Sequence, residues 1–218
     1  DESEYWQARY EQLWTAREKG LRSDYPYIEP DDFSTILEQS PPPPVLEPLE
    51  DAVYADRVAG AWTGRCAGVT LGKPVEMVMP DEIREYLRSV DAWPLDDYIP
   101  SRSEQLDKVL KCPNSTRGQI RYVPVDDDVS YTVAALLLVE QCGWQFTPAD
   151  VVRSWLRELP YGHLFSCTKQ AYYNAVRLGT DTDMDTLVTQ LPLLYNPMRE
   201  GLNASIRADL FAYIAPGR

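Results

Sequence analysis

From Asp51 onward the chain alternates long apolar runs with short polar breaks, and the spacing within the runs is helical. Val53, Val58, Ala59, Ala61 and Trp62 lead into glycines at 60, 64, 68 and 72. Pro74 predicts the end of that helix and leaves Glu76 on a loop. Asp81 to Ser89 reads as a short helix. The stretch from Trp93 to Thr116 is polar and broken by Pro94, Pro100 and Pro113, and Gln119 to Val125 reads as extended. The apolar run Val133 to Val139 predicts a buried helix ending near Gly143. Pro148 to Leu159 follows, with Val151, Val152, Trp155 and Leu156 on one face, and then Thr168 to Leu178. Ahead of all this, Tyr5 to Lys19 spaces its aromatic residues as a helix stopped by Gly20, with the aromatic stripe read as packing. The acidic segment 21–50, with prolines at 41–44, predicts an extended strap across the main domain.

The pattern therefore predicts an all-α domain from 51 to 218 behind an N-terminal extension, 1–50. Composition narrows the partners. A net charge of −13 argues against nucleic acid and acidic membranes, which require a basic surface, and favours metal cations. No run approaches membrane-spanning length and no signal peptide is visible. Cys66, Cys112, Cys142 and Cys167 lack Cys-x-x-Cys spacing, so reduced thiols in a cytoplasmic setting are expected rather than zinc or a disulfide framework.

The chemistry concentrates in Asp126, Asp127 and Asp128, immediately before the apolar run. One aspartate suffices to cap a helix, so the surplus charge points to a hard cation with oxygen ligands, against the plainer reading of a solvated acidic cap. Glycine at every fourth position lowers helix propensity by about 1 kcal/mol each and admits a close neighbour, helix or ligand. Arg65 and Lys73 exclude a membrane-embedded reading of that face. His163, the only histidine, carries no catalytic expectation. Asp181, Asp183 and Asp185 mimic a calcium loop, but Thr186 and Pro192 occupy its glycine and glutamate positions, leaving a polar loop that caps the next helix.

Two segments together resemble a known family. Gly60-Ala-Trp-Thr-Gly64-Arg-Cys-Ala-Gly68-Val-Thr-Leu-Gly72-Lys-Pro74-Val-Glu76 is similar to the opening helix of the ADP-ribosylglycohydrolase family (dinitrogenase reductase-activating glycohydrolase-like). Asp126-Asp-Asp128-Val-Ser-Tyr-Thr132 is similar to its first metal motif, in the expected order. Gly201-Leu-Asn203-Ala-Ser205-Ile-Arg207 is a looser match to an Asn-Gly-x-Met-Arg segment.

The resemblance implies an orthogonal all-α bundle of that type, cut short at its C-terminal end, because the second Asp-rich motif is absent. It implies Mg²⁺, binuclear in the family with the second site incomplete here, or Mn²⁺, held by Asp126, Asp127 and Asp128. Asp127 and Glu76 take catalytic roles, and Gly72, Asn203 and Ser205 contact substrate. The implied activity is hydrolysis of an N- or O-glycosidic bond to ADP-ribose, with ADP-ribose or an ADP-ribosylated protein as partner. An oligomer or a missing C-terminal segment would complete the core. Two departures stand out: Asp126 replaces a threonine, and Val69 replaces an aspartate. The second opens the alternative of an inactive relative that binds ADP-ribose or a protein. A purely structural helical domain is the remaining alternative.

Overall fold

α5, Asp127–Cys142, is the helix on which the larger unit is assembled, and its sequence explains why. Tyr131, Ala134 and Leu138 recur at helical spacing and are buried, while Asp126 caps the first turn. The helix stops at Gly143, whose φ of 66° lies in the left-handed region that favours glycine. In this computed structural model, α5 packs against α9 (Asn203–Ile214), α6 (Pro148–Glu158) and α3 (Asp51–Gly72). The structure describes residues 2–16, 20, 22–30, 32–42, 47–179, 182–199, 201 and 203–215.

The chain divides into two units, Asp1–Pro44 and Val45–Arg218. In the first, α1 runs Glu2–Ala16, and the expected end near Lys19 lies outside the described residues. Its aromatic stripe was expected to pack, yet Tyr5 and Trp6 remain 52% and 61% exposed. The segment expected to be extended contains a further helix, α2, Phe33–Gln39. Asp32 nucleates it, accepting a hydrogen bond from the Thr35 amide at 2.8 Å. Prolines 43 and 44 lie outside the described residues.

In the second unit, α3 ends where Pro74 forces a 3-10 turn over Lys73–Val75. Val75 and Leu71 pack on Tyr86 and Leu87 of α4, Pro80–Ser89, together with Ile99 and Leu110. The polar insertion is therefore more ordered than its composition suggests. It forms a two-stranded antiparallel hairpin, β1 (Arg102–Ser103) and β2 (Lys108–Val109), and ties itself to α4 through Tyr86 Oη donating to Pro100 O at 2.8 Å. This packing fixes the end of α3, and with it Lys73 and Glu76.

α6 begins as the sequence requires. The Asp150 amide donates to Thr147 Oγ1 at 3.3 Å, the Thr147 amide donates to Asp150 Oδ2 at 2.8 Å, and Pro148 occupies the first turn. Val152 and Ala149 of α6 bury against Ala171 and Ala175 of α7, Ser166–Leu178, and Leu187 of α8, Met184–Thr189. Asp183 caps α8 as a polar loop should, with the Thr186 amide donating to it at 2.9 Å; Asp181 is outside the described residues.

Asn174 is 1% exposed and donates from Nδ2 to Leu191 O at 2.9 Å and Leu194 O at 2.7 Å, closing the turn after α8 onto α7. Asn174→Leu removes both bonds and strands the carbonyls, so it is expected to destabilise by about 2–3 kcal/mol. Urea unfolding measures this; an unchanged midpoint would refute the assignment.

Candidate functional site

The site forms where the C-terminal end of α3 meets the N-terminal end of α5. Asp126 stands in extended backbone, φ −153°, and its Oδ1 accepts the Asp128 amide at 3.1 Å. One oxygen from each of Asp126, Asp127 and Asp128 can be chosen so that all lie within 4.8 Å of one another. Like charges that close repel, and the free amides of the first helical turn offset only part of it. α3 supplies the rest.

Lys73 Nζ reaches Asp126 Oδ2 at 2.6 Å and Glu76 Oε2 at 3.1 Å. Arg65, a little over two turns earlier, donates to the Asp128 backbone carbonyl at 2.7 Å, lies 3.4 Å from Asp128 Oδ1, and pairs with Asp209 of α9. Among the described residues Asp127 makes no ion pair.

The titration pattern follows from this unequal pairing. Burial raises the Asp126 carboxyl, but hydrogen bonds from Lys73 and the Asp128 amide outweigh it and hold Asp126 below its ordinary value. Burial raises Asp127, and the charges of Asp126 and Asp128 add to it, pushing it up to about 6. Burial and Asp126 also raise Asp128, against the opposing pull of Arg65. Burial lowers the Lys73 ammonium, but its bonds to Asp126 and Glu76 prevail and leave it above its ordinary value. The donor set suits a hard divalent cation: it is all oxygen, clustered, and has one carboxylate left without a counter-charge.

A cavity of about 290 Å³ opens at this junction, lined by Gly68, Val69, Gly72 and Lys73 of α3 and its turn, by Glu76, and by Asp126 and Asp128. Nothing lies within 4 Å of where a Cβ would stand on Gly68 or Gly72, so these glycines keep one wall open. The same holds at Gly60 and Gly64, where the close neighbour expected from the glycine spacing is not seen among the described residues. Glu76 is exposed on the loop, as its place after Pro74 requires. His163 instead borders a more apolar groove of about 380 Å³, which shares Asp126.

Asn203 and Ser205, expected near substrate, do not line the cavity. Asn203 Nδ2 donates to Thr168 Oγ1 at 3.2 Å and its Oδ1 accepts from Ser166 Oγ at 3.2 Å, which fastens α9 to the start of α7. Ser205 is exposed one half-turn later. Arg207 donates to Thr168 Oγ1 at 2.7 Å and stacks over Trp155 and Tyr131. The residues missed by sequence reasoning are Arg65 and Lys73. Their signal was present: Arg65 and Lys73 fall in the small and apolar second half of that segment and need acidic partners, and the densest supply is Asp126–Asp128.

Asp127→Asn keeps the side-chain shape and removes the charge. Because the folded carboxyl titrates near 6 rather than at its ordinary 3.8, the folded protein holds that proton more tightly than the unfolded chain, and this group lowers stability as pH rises from about 4 to about 6. The variant is expected to melt above wild type at pH 7 in chelator, with the gap closing near pH 4. A lower melting point for the variant at pH 7 would contradict the repulsion described here.

A sequence profile described as ADP-ribosylglycohydrolase matches residues 50–190. The matched span contains the glycine helix, Glu76 and the three aspartates and stops before Asn203. No curated protein and no solved structure matches the chain. The match covers well over half of the 218 residues and joins the two segments that build the cavity, and the all-α architecture agrees with it: the chain belongs to the ADP-ribosylglycohydrolase family.

Proposed function

We propose that this protein hydrolyses an N- or O-glycosidic bond to ADP-ribose, acting on an ADP-ribosylated protein or a small ADP-ribosyl conjugate. The observation that carries this reading is the cavity at the α3–α5 junction, where Glu76, Gly72, Asp126 and Asp128 converge, with Asp127 outside its lining but a carboxylate oxygen within 4.8 Å of those two. At about 290 Å³ it has room for a pentose rather than the whole nucleotide, which would extend along the open flank. Family membership supports glycohydrolase chemistry in general terms.

Asp126, Asp127 and Asp128 would hold Mg²⁺, or Mn²⁺ in its place, and a divalent ion so held supplies Lewis-acid stabilisation of developing charge. Asp127 is the carboxylate without an ion-pair partner among the described residues, and in this reading it accepts the proton of the attacking water. Glu76 positions the substrate from the cavity rim, and Gly72 lets the sugar approach the backbone. A mechanism with two carboxylates on opposite faces of the sugar fits poorly, because three consecutive aspartates at one helix start share one side. Asn203, which ties α9 to α7, and Ser205 stand outside the cavity lining, and in this reading they would meet the substrate only beyond it.

One observation favours a second reading. Val69 lines the cavity at the position where the family pattern carries aspartate, so the wall is apolar where a carboxylate is expected. A domain that binds ADP-ribose without turning it over fits that wall. Titration with ADP-ribose alongside a release assay separates the two readings: binding without release from any ADP-ribosylated protein or conjugate favours the second.

Asp127→Ala is expected to weaken Mg²⁺ binding by more than about 100-fold and to abolish ADP-ribose release. Calorimetry with Mg²⁺ and a release assay on the same folded sample check both. Unchanged metal affinity in the variant would refute the assignment of the aspartate cluster.

A further inference from the structure

Both oxygens of Asp126 are already engaged. Oδ1 accepts the Asp128 amide at 3.1 Å, and Oδ2 accepts Lys73 Nζ at 2.6 Å. The amide bond belongs to the helix cap and persists as long as α5 does; Oδ2 keeps a free lone pair, but an ammonium 2.6 Å away repels a divalent ion there, so a cation reaches Oδ2 in competition with Lys73. Arg65 differs: its short contact is to the backbone carbonyl of Asp128 and its other partner is Asp209, so it leaves the Asp128 carboxylate largely open.

Lys73 also has somewhere to go. Its ammonium already touches Glu76 at 3.1 Å, and the Glu76 side chain is 58% exposed while that of Asp126 is 7% exposed. The centroid of the Phe165 ring lies 5.8 Å from Nζ, a further contact for the ammonium. A flexible four-carbon stem with three donors can shift from one carboxylate to the other without unwinding the turn that carries it.

We infer that Lys73 is a two-position internal counter-ion, resting on Asp126 in the metal-free protein and transferred to Glu76 when a divalent cation takes Asp126. The inference rests on the reading of Asp126–Asp128 as the metal site and adds its regulation: metal affinity is set by the competition between Lys73 and the ion, and Glu76 lowers the barrier to loading by receiving the displaced ammonium. Lys73 is thus a positioning residue. It also sets the rim, because Glu76 is drawn toward Lys73 more strongly once Asp126 has let go.

The test is calorimetric titration of the purified protein with Mg²⁺, and with Mn²⁺ followed by electron paramagnetic resonance, in four chains: wild type, Lys73→Gln, Glu76→Gln and the double variant. Lys73→Arg serves as the charge-conserving control. Lys73→Gln is expected to bind metal about 5- to 100-fold more tightly than wild type, the usual range for coupled ligands, while its metal-free melting point falls. A merely structural lysine would lower both. Lys73→Arg, which keeps a positive charge on Asp126, is expected to bind metal less tightly than Lys73→Gln. Glu76→Gln is expected to weaken binding in the Lys73 background and to have little effect in the Lys73→Gln background, because the resting place matters only when there is an ammonium to receive.

Wild-type binding with no gain in Lys73→Gln overturns the inference and leaves the metal reading intact. Equal weakening by Glu76→Gln in both backgrounds also overturns it, since Glu76 would then act on the metal itself. Binding in none of the chains overturns the metal reading and the inference with it. Binding in Lys73→Gln alone supports the inference in its strongest form.

Discussion

Three consecutive carboxylates can occupy one helix start only because another helix brings cations to them. That constraint organises the larger unit. α5 presents Asp126, Asp127 and Asp128, and α3 answers with Lys73 on the first and Arg65 on the third. The pairing is incomplete in its electrostatics: two cations face three carboxylates, Glu76 and Asp209 take a share of them, and the middle aspartate is left half-buried beside two like charges with no cation of its own among the described residues. Removing a partly buried counter-charge leaves its partner desolvated and unpaired, which is why the α3–α5 contact depends on these two side chains more than on apolar burial. α3 supports that view directly, since Thr70 is its one buried residue among those described.

The rest of the unit serves to hold those helix ends still. The 3-10 turn at Lys73–Val75 is pressed into the cluster around Tyr86, so the lysine projects from a fixed base. α9 lies along α5 and returns Asp209 to Arg65, joining three helices through one guanidinium, whose fork of donors suits several acceptors at once. On the other flank, Asn203 and Arg207 converge on Thr168 and bind α9 to α7. Asn203 thus helps fix α9, the helix whose Asp209 pairs with Arg65.

Much of this was legible in the sequence, and for identifiable reasons. Helices whose stops are chemical, such as Pro74 and Gly143, fall where the residues say, because a missing amide and a left-handed backbone leave little choice. The aspartate cluster was legible because charge density that high at an apolar run has few explanations. α2 was not, since proline and acid around it suggest an extended chain and only Asp32 argues otherwise, through a local cap. The small hairpin at Arg102–Val109 was hidden for the opposite reason: it is tied to α4 by Tyr86, bonded to Pro100, and Ser89, bonded to Ser103, and not ordered by its own pattern.

Lys73 and Arg65 mark the sharper limit of pattern reading. On the helix alone they count as two charges that exclude a lipid environment; only their partners, more than fifty residues away, make them part of a site. The two are also unequal, and the inequality has a physical origin. A guanidinium delocalises its charge over several acceptors and holds backbone as readily as carboxylate, so Arg65 can stay in place whether or not a cation is present. An ammonium concentrates its charge on one atom and competes for the same oxygen that a divalent ion needs. The compact charge thus rests on Asp126 and the spread one on Asp128, which is the asymmetry from which the two-position role of Lys73 is inferred. A carboxylate at 126 belongs to the same logic, because a neutral side chain there would give Lys73 no anion to rest on.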